Sequence, residues 1–136
     1  MTKKLKISAA QLVAESRARI EEIPVSEALA LHGQEDVLFI DLRDVRERSR
    51  VGYIPGSIHC PRGMVEFWVD PECPYFKEVF AREAKFLFYC ASGWRSAITV
   101  ATLKDMGFEN AANLKEGFSL WSREGGPVEM PDPLMQ

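Results

Sequence analysis

Cysteine and histidine are scarce in this chain, with 3 and 2 copies among 136 residues. The cysteines, Cys60, Cys73 and Cys90, are odd in number and widely spaced. They therefore fit neither a disulfide framework nor a zinc site, which needs close Cys and His pairs. Reduced thiols and no bound metal or other cofactor are the expectation. Long apolar runs are also missing, since none approaches the roughly 18 residues of a membrane helix. The opening MTKKLKIS leads into a polar, amphipathic stretch rather than a signal-peptide core, so a cytoplasmic protein is expected. An excess of one charge sign is absent too: 17 Lys and Arg stand against 20 Asp and Glu, for a net charge of −3. The basic residues are scattered, which argues against nucleic acid or a membrane surface as partner and leaves a small ligand.

Nearly half of the residues are hydrophobic, 46%, enough for one full core without staples. The stretch SAAQLVAESRARIEEI sets Ala9, Leu12, Val13 and Ile20 near one helical face and meets Pro24, so residues 1–24 read as an N-terminal helical arm, packed on the domain or extending it. Ser26 with EALALH reads as a short capped helix. Val37 to Ile40 is a continuous apolar run ending in Asp41, the pattern of a buried parallel strand. The charged segment 43–50 reads as a solvated helix or turn, and the Pro55-Gly56 turn precedes a short strand at Ile58-His59. Between Arg62 and Ala81, aromatics interrupted by Pro71 and Pro74 suggest two short helices with a break.

Phe86 to Tyr89 is a second buried strand, and residues 96–106 read as a helix capped by Ser96 and ended by Gly107. Ala111 to Leu114 forms a last strand. Residues 116–124 close the domain as a helix, ended by Gly125-Gly126-Pro127. Residues 25–128 thus form the main domain and 129–136 an irregular tail. Alternation of strands and helices predicts an α/β fold, a mainly parallel central sheet with helices on both faces, in which ligands gather at the C-terminal ends of the strands.

Cys90 stands at such an end. The run FLFYCASGWRSAITVATL delivers it into a loop of Ala91, Ser92, Gly93, Trp94 and Arg95 that opens onto a helix at Ser96. Backbone N–H groups at a helix N-terminus point inward unsatisfied, and together with the helix dipole and the Arg95 cation they favour a thiolate over a thiol. Cys90 is the candidate nucleophile, the loop amides and Arg95 the candidate anion binders, and the hydroxyls of Ser92 and Ser96 further candidate contacts. Asp41 and Arg43 read first as a strand-end carboxylate and a surface cation in a salt bridge, and second as candidates that brace the loop from the adjacent strand end. Cys60 and Cys73 read as inert thiols, although either could resolve Cys90 as a disulfide if the fold brings them close. His32 and His59 have no metal-ligand spacing and no evident partnership with Cys90. Trp68 and Trp121 read as core residues, and Trp94 as the exposed one.

Four ordered landmarks, FIDLRD at 39–44, GYIPGSIHCP at 52–61, CASGWRS at 90–96 and LKEGFSLWSREGGPV at 114–128, resemble a single rhodanese-like domain over roughly residues 25–128. The resemblance implies a sulfurtransferase. Cys90 would take a sulfane sulfur from a small anionic donor such as thiosulfate, or from an organic or protein persulfide, and pass it to a thiol, to cyanide or to a protein acceptor by a ping-pong route without a metal. The sequence departs from the family pattern at Tyr53, where a His is usual, at Ala91 and Ser92, where many thiosulfate-using members carry a cation, and at the bulky Trp94. These departures point towards an apolar or protein-borne persulfide donor. Two other readings compete. One is a cysteine phosphatase, which would need its arginine six residues after the cysteine, where Ser96 stands here. The other is a rhodanese-like module without efficient turnover: one that only binds partners typically lacks the cysteine, whereas a retained cysteine can serve redox or persulfide sensing.

Overall fold

Five short segments pair side by side into one sheet: β1 (Glu21–Ile23), β2 (Val37–Asp41), β3 (Ile58–His59), β4 (Lys85–Tyr89) and β5 (Ala111–Leu114), in a computed structural model that describes residues 2–132. Their order across the sheet is β1-β5-β4-β2-β3, and every neighbouring pair runs parallel. The helices are α1 (Ala9–Arg17), α2 (Val25–Leu31), α3 (Val45–Val51), α4 (Val65–Trp68), α5 (Trp94–Asp105) and α6 (Gly117–Arg123). Parallel strands need long crossovers, and the helices that supply them cover both faces. Alternate side chains of β2 and β4 therefore enter two separate cores. Phe39, Leu87 and Tyr89 pack with Val25, Ala28, Phe118 and Trp121 of α2 and α6. Ile40, Phe86 and Phe88 pack with Val65, Val100 and Leu103 of α4 and α5. The predicted α/β fold with a parallel sheet and helices on both faces is the one observed.

Several local expectations differ from the structure. Residues 21–23 do not continue the N-terminal helix; they form the edge strand β1, in register with Ala112 to Leu114. The helix ends at Arg17, and α1 packs on α5, where Arg19 forms a two-bond ion pair with Asp105 and Lys104 donates to the Arg19 carbonyl. Helix α2 begins one residue before Ser26, with Pro24 in the cap position and no side-chain cap; Glu116 Oε1 accepts from Val25 N–H at 2.9 Å instead. Helix α5 starts at Trp94 rather than Ser96, because Gly93 takes the cap position in a left-handed conformation that suits glycine (φ 86°). Ser96 is thus an interior helical residue, fully buried. The C-terminal end of α5 is as expected. Gly107 at φ 85° donates to Lys104 O, and Phe108 N–H donates to Leu103 O, the paired bonds of a glycine-terminated helix.

Between Arg62 and Ala81 the two expected helices are reduced to short 3-10 turns at Arg62–Met64 and Glu78–Ala81 and the single turn α4. Part of the tail is ordered: Tyr53 and Glu129 exchange two backbone hydrogen bonds of 2.9 Å, an antiparallel bridge. Residues 133–136 of the expected tail lie outside the described residues. Trp121 is fully buried, its indole N–H donating to Pro127 O at 2.8 Å, while Trp68 is only partly buried against the second core.

Candidate active site

Register sets the site. Asp41 pairs with both Tyr89 and His59, so β2, β3 and β4 end together, and Cys90 is the first residue beyond that edge. Its chain turns back over α5, whose first amides, at Trp94, Arg95 and Ser96, have no acceptor one turn earlier. Cys90 is 1% exposed, and its sulfur faces this turn: Gly93 N–H donates to Sγ at 3.2 Å, and Ser96 Oγ lies 3.4 Å away. Starting α5 at Trp94 is what brings Ser96 inward to the sulfur rather than leaving it as a cap.

The loop is gripped from behind by α6. Phe118 N–H donates to Cys90 O at 2.8 Å and Ser119 N–H to Ala91 O at 3.0 Å. Gly117 makes the approach feasible, since a Cβ there would lie 2.5 Å from Ala91 O and 2.8 Å from Ser92 N, and its φ of 76° suits glycine alone. Ala91 is half-buried, Ser92 exposed, and Trp94 stands 48% exposed at the rim.

Arg95 reaches across the mouth to α3, where its two terminal nitrogens bond both carboxylate oxygens of Glu47 at 2.8 and 3.0 Å. The Glu47 carboxylate raises the Arg95 pKa, and the nearby Cys90 sulfur adds to the effect. In return the Arg95 guanidinium holds the Glu47 carboxyl below the ordinary range. Sequence reasoning missed Glu47. Its one local signal is the capping box of α3, in which Asp44 accepts from Arg46 N–H and Glu47 accepts from Asp44 N–H.

Asp41 and Arg43 are 0% and 1% exposed, not the surface pair that their strand-end position suggested by itself. Asp41 accepts from Arg43 N–H, Nε and Nη2 at 2.8 to 3.0 Å, from Arg48 Nη1 at 2.8 Å and from the Tyr89 hydroxyl at 2.9 Å. Burial alone would raise the Asp41 pKa, but the Arg43 bonds and charge outweigh it and leave the carboxyl below its ordinary value. The Arg43 guanidinium lies 4.2 Å from the Phe118 ring centre, the residue whose amide holds Cys90 O. The ion pair therefore reaches the loop through Phe118 and through Tyr89, the residue before Cys90.

Cys60 is kept apart from Cys90. Cys60 follows β3, two strands away, a separation of about 10 Å at the usual strand spacing, beyond the roughly 7 Å that a disulfide spans between Cα atoms. Burial, helped by Glu66, pushes its thiol up to about 12. Cys73 is a free, half-buried thiol in the loop after Asp70. His59 Nε2 lies 2.6 Å from Arg43 O, and His32 Nε2 lies 2.8 Å from Pro55 O, each bonded to backbone. No cluster of His, Cys, Asp and Glu among the described residues could hold a metal, and no described helix is long and apolar enough to cross a membrane.

A parallel α/β sheet here presents a thiol at its C-terminal edge, held by the Gly93 amide at the start of the next helix and flanked by an arginine, the arrangement of a candidate single-cysteine site. The rhodanese-like domain model matches residues 24–124. A sulfurtransferase from Allochromatium vinosum is 32% identical over 109 residues, which cover 79% of this chain and 94% of that protein. A Rhodopseudomonas palustris protein of unknown function, described as a possible tyrosine phosphatase, superposes with a TM-score of 0.90 at 44% identity, over 95% of this chain and 99% of that one. A thiosulfate sulfurtransferase from Pseudomonas aeruginosa shares the fold at a TM-score of 0.74 and 23% identity, over 91% of this chain and 23% of that chain. This chain belongs to the rhodanese-like domain family, and its relatives support a sulfurtransferase-family role.

Proposed function

We propose that the chain is a sulfurtransferase that carries sulfane sulfur on Cys90. The observation that carries this reading is the setting of Sγ, with Gly93 N–H at 3.2 Å, Ser96 Oγ at 3.4 Å and Arg95 at the rim. The thiolate attacks the outer sulfur of the donor, the donor's S–S bond breaks, and its electron pair leaves with the departing anion, sulfite when thiosulfate is the donor. The persulfide left on Cys90 is then attacked at its outer sulfur by a thiol, cyanide or a protein thiolate, and Cys90 departs as thiolate. Both halves place negative charge on sulfur atoms inside the loop, where the amides of Gly93, Trp94, Arg95 and Ser96 and the α5 dipole lower its energy. Three unpaired thiols fit a reducing compartment such as the cytoplasm.

Donor choice follows from charge. Arg95 is already matched by Glu47, Ala91 and Ser92 bring no cation, and the exposed ring of Trp94 adds an apolar rim. This favours an organic or protein-borne persulfide over a small dianion. A phosphatase reading has one observation behind it, the description of the Rhodopseudomonas palustris neighbour. Here, however, the loop arginine comes five residues after Cys90 and is bidentate to Glu47, so a bound phosphate would have to displace that carboxylate.

Intact-protein mass spectrometry separates these readings. Wild type incubated with an organic persulfide should gain one sulfur, about 32 Da, that cyanide removes, and Cys90→Ser should gain none. Faster loading from thiosulfate would overturn the donor assignment. If neither donor loads Cys90, the sulfurtransferase reading fails, and turnover of p-nitrophenyl phosphate by wild type but not Cys90→Ser would put a phosphatase in its place.

A further inference from the structure

Gly93 carries the N–H that meets the Cys90 sulfur; besides the first bond of α5, from Ala97 N–H to Gly93 O at 3.1 Å, two of its backbone contacts lead away from the pocket. Its carbonyl accepts from Asn113 Nδ2 at 3.3 Å. Its Cα packs directly on the Lys115 carbonyl, so that a Cβ would lie 2.3 Å from that oxygen. Lys115 O in turn accepts from Arg17 Nη1 at 3.1 Å. Glu22 joins the two branches, because its Oε2 accepts from Asn113 Nδ2 at 2.9 Å and pairs with Arg17 Nη1.

We propose that Arg17, Glu22 and Asn113 form a positioning network that holds the Gly93 amide on the Cys90 sulfur. This role rests on the sulfurtransferase reading for its catalytic meaning. Arg17 and Glu22 lie before the stretch matched by the family model, which begins at residue 24, so the network adds the N-terminal segment to the active loop. Arg17 ends α1 and Glu22 is the middle of β1; the helix that packs on α5 and the edge strand paired to β5 bring both side chains behind the loop.

Asn113 supplies a second, independent sign. It is 0% exposed, and its Oδ1 has no hydrogen-bond partner. An orphaned buried acceptor is unfavourable. The opposite orientation of the amide would turn Oδ1 against Glu22 Oε2 and Gly93 O, two further acceptors, so the observed one is the orientation that uses both N–H donors. The residue type thus answers to the need to hold Gly93 and Glu22 together. Both anchors act on one residue, at the carbonyl and the Cα of Gly93. Once the Gly93 carbonyl and the Lys115 contact are set, the left-handed backbone at Gly93 (φ 86°, ψ 1°) aims its N–H at Sγ, and a hydrogen bond weakens steeply as that aim is lost.

The full-length chain tests this with Arg17→Ala, Arg17→Lys and Asn113→Ala. A misplacement of 1 Å at a reacting centre costs on the order of a hundredfold, so releasing one of two anchors should lower kcat for sulfur transfer about tenfold while the donor KM changes less than about twofold. Arg17→Lys keeps a cation for Glu22 and a donor for Lys115 O, and should recover most of the rate. An unchanged kcat in Arg17→Ala, or a loss that Arg17→Lys does not recover, overturns the proposal. If Asn113→Ala fails to fold, the Arg17 pair decides. Alkylation of Cys90 by iodoacetamide, followed by peptide mass, needs no sulfur transfer. If wild type loads no sulfur but Arg17→Ala still slows this alkylation, the network stands and the sulfurtransferase reading falls; if alkylation is also unchanged, the network falls too.

Discussion

Replacing Arg43 with methionine removes the central cation of the site's buried framework while keeping most of the side-chain volume. Three bonds disappear: those from Nε and Nη2 to Asp41 and that from Nη2 to Gly52 O at 2.8 Å. The cation over Phe118 goes with them. Breaking a buried pair by deleting one partner costs about 3–5 kcal/mol, because the other charge is left uncompensated. Arg48 and Tyr89 still donate to Asp41 Oδ2, which keeps the loss near the lower end, about 3 kcal/mol. For a chain of 136 residues this corresponds to a fall in Tm of roughly 10 °C. The pH dependence carries a sign. Asp41 in the wild type titrates below its ordinary value of 3.8, with Arg43 outweighing the upward push of burial. Its contribution is therefore complete above about pH 4 and is lost as pH falls through the lower folded value. Without Arg43, burial prevails, the folded carboxyl titrates higher than in the unfolded chain, and proton uptake favours the folded variant as pH falls. The gap between wild type and Arg43→Met should narrow from pH 7.5 to pH 4.5 in thermal melts followed by circular dichroism. A Tm loss under about 3 °C, or a gap that stays constant over this range, would refute the reasoning.

Two further outcomes are expected. Gly117→Ala, which drives a Cβ into the Ala91 carbonyl at 2.5 Å from a backbone of φ 76°, should lower stability by about 1–3 kcal/mol and slow the loading of Cys90. Gly125→Ala, also left-handed but facing open space, should cost about 1 kcal/mol and leave loading unchanged; equal effects in both would show that the Gly117 contact does not hold the loop. Cys60, with its thiol pushed up to about 12, should resist iodoacetamide at pH 8 in the native protein and react only in urea, as peptide mapping would read; modification of native Cys60 at the unfolded rate would contradict its burial.

Much of this molecule was legible from local pattern. The runs Val37–Asp41, Lys85–Tyr89 and Ala111–Leu114 are apolar enough to declare buried strands, and the residues between them alternate in the helical manner, so the parallel α/β fold followed from periodicity. Cys90 stood out because an apolar strand ends on it and a glycine-containing loop opens a helix behind it. The errors lie where a local reading competes with a distant partner. Glu21–Ile23 continues the charged helical pattern of the arm, and only Ala112 to Leu114, some ninety residues further on, turn it into an edge strand. Ser96 carries an N-cap side chain, but Gly93 ends the turn earlier because its missing Cβ lets it sit on Lys115 O.

The sequence by itself therefore determined the fold class, the position of Cys90 at a strand end and the loop that surrounds it, because hydrophobic period, turn residues and helix starts are short-range properties. Tertiary structure alone decided what that loop touches. Glu47 meets Arg95 from 48 residues away, α6 grips Cys90 O and Ala91 O, and the segment around Arg17 and Glu22 reaches Asn113 behind Gly93. Hydrogen bonds and ion pairs depend on distances of about 3 Å, and a chain brings such partners together only when a sheet register and helix packing have been chosen by the whole core.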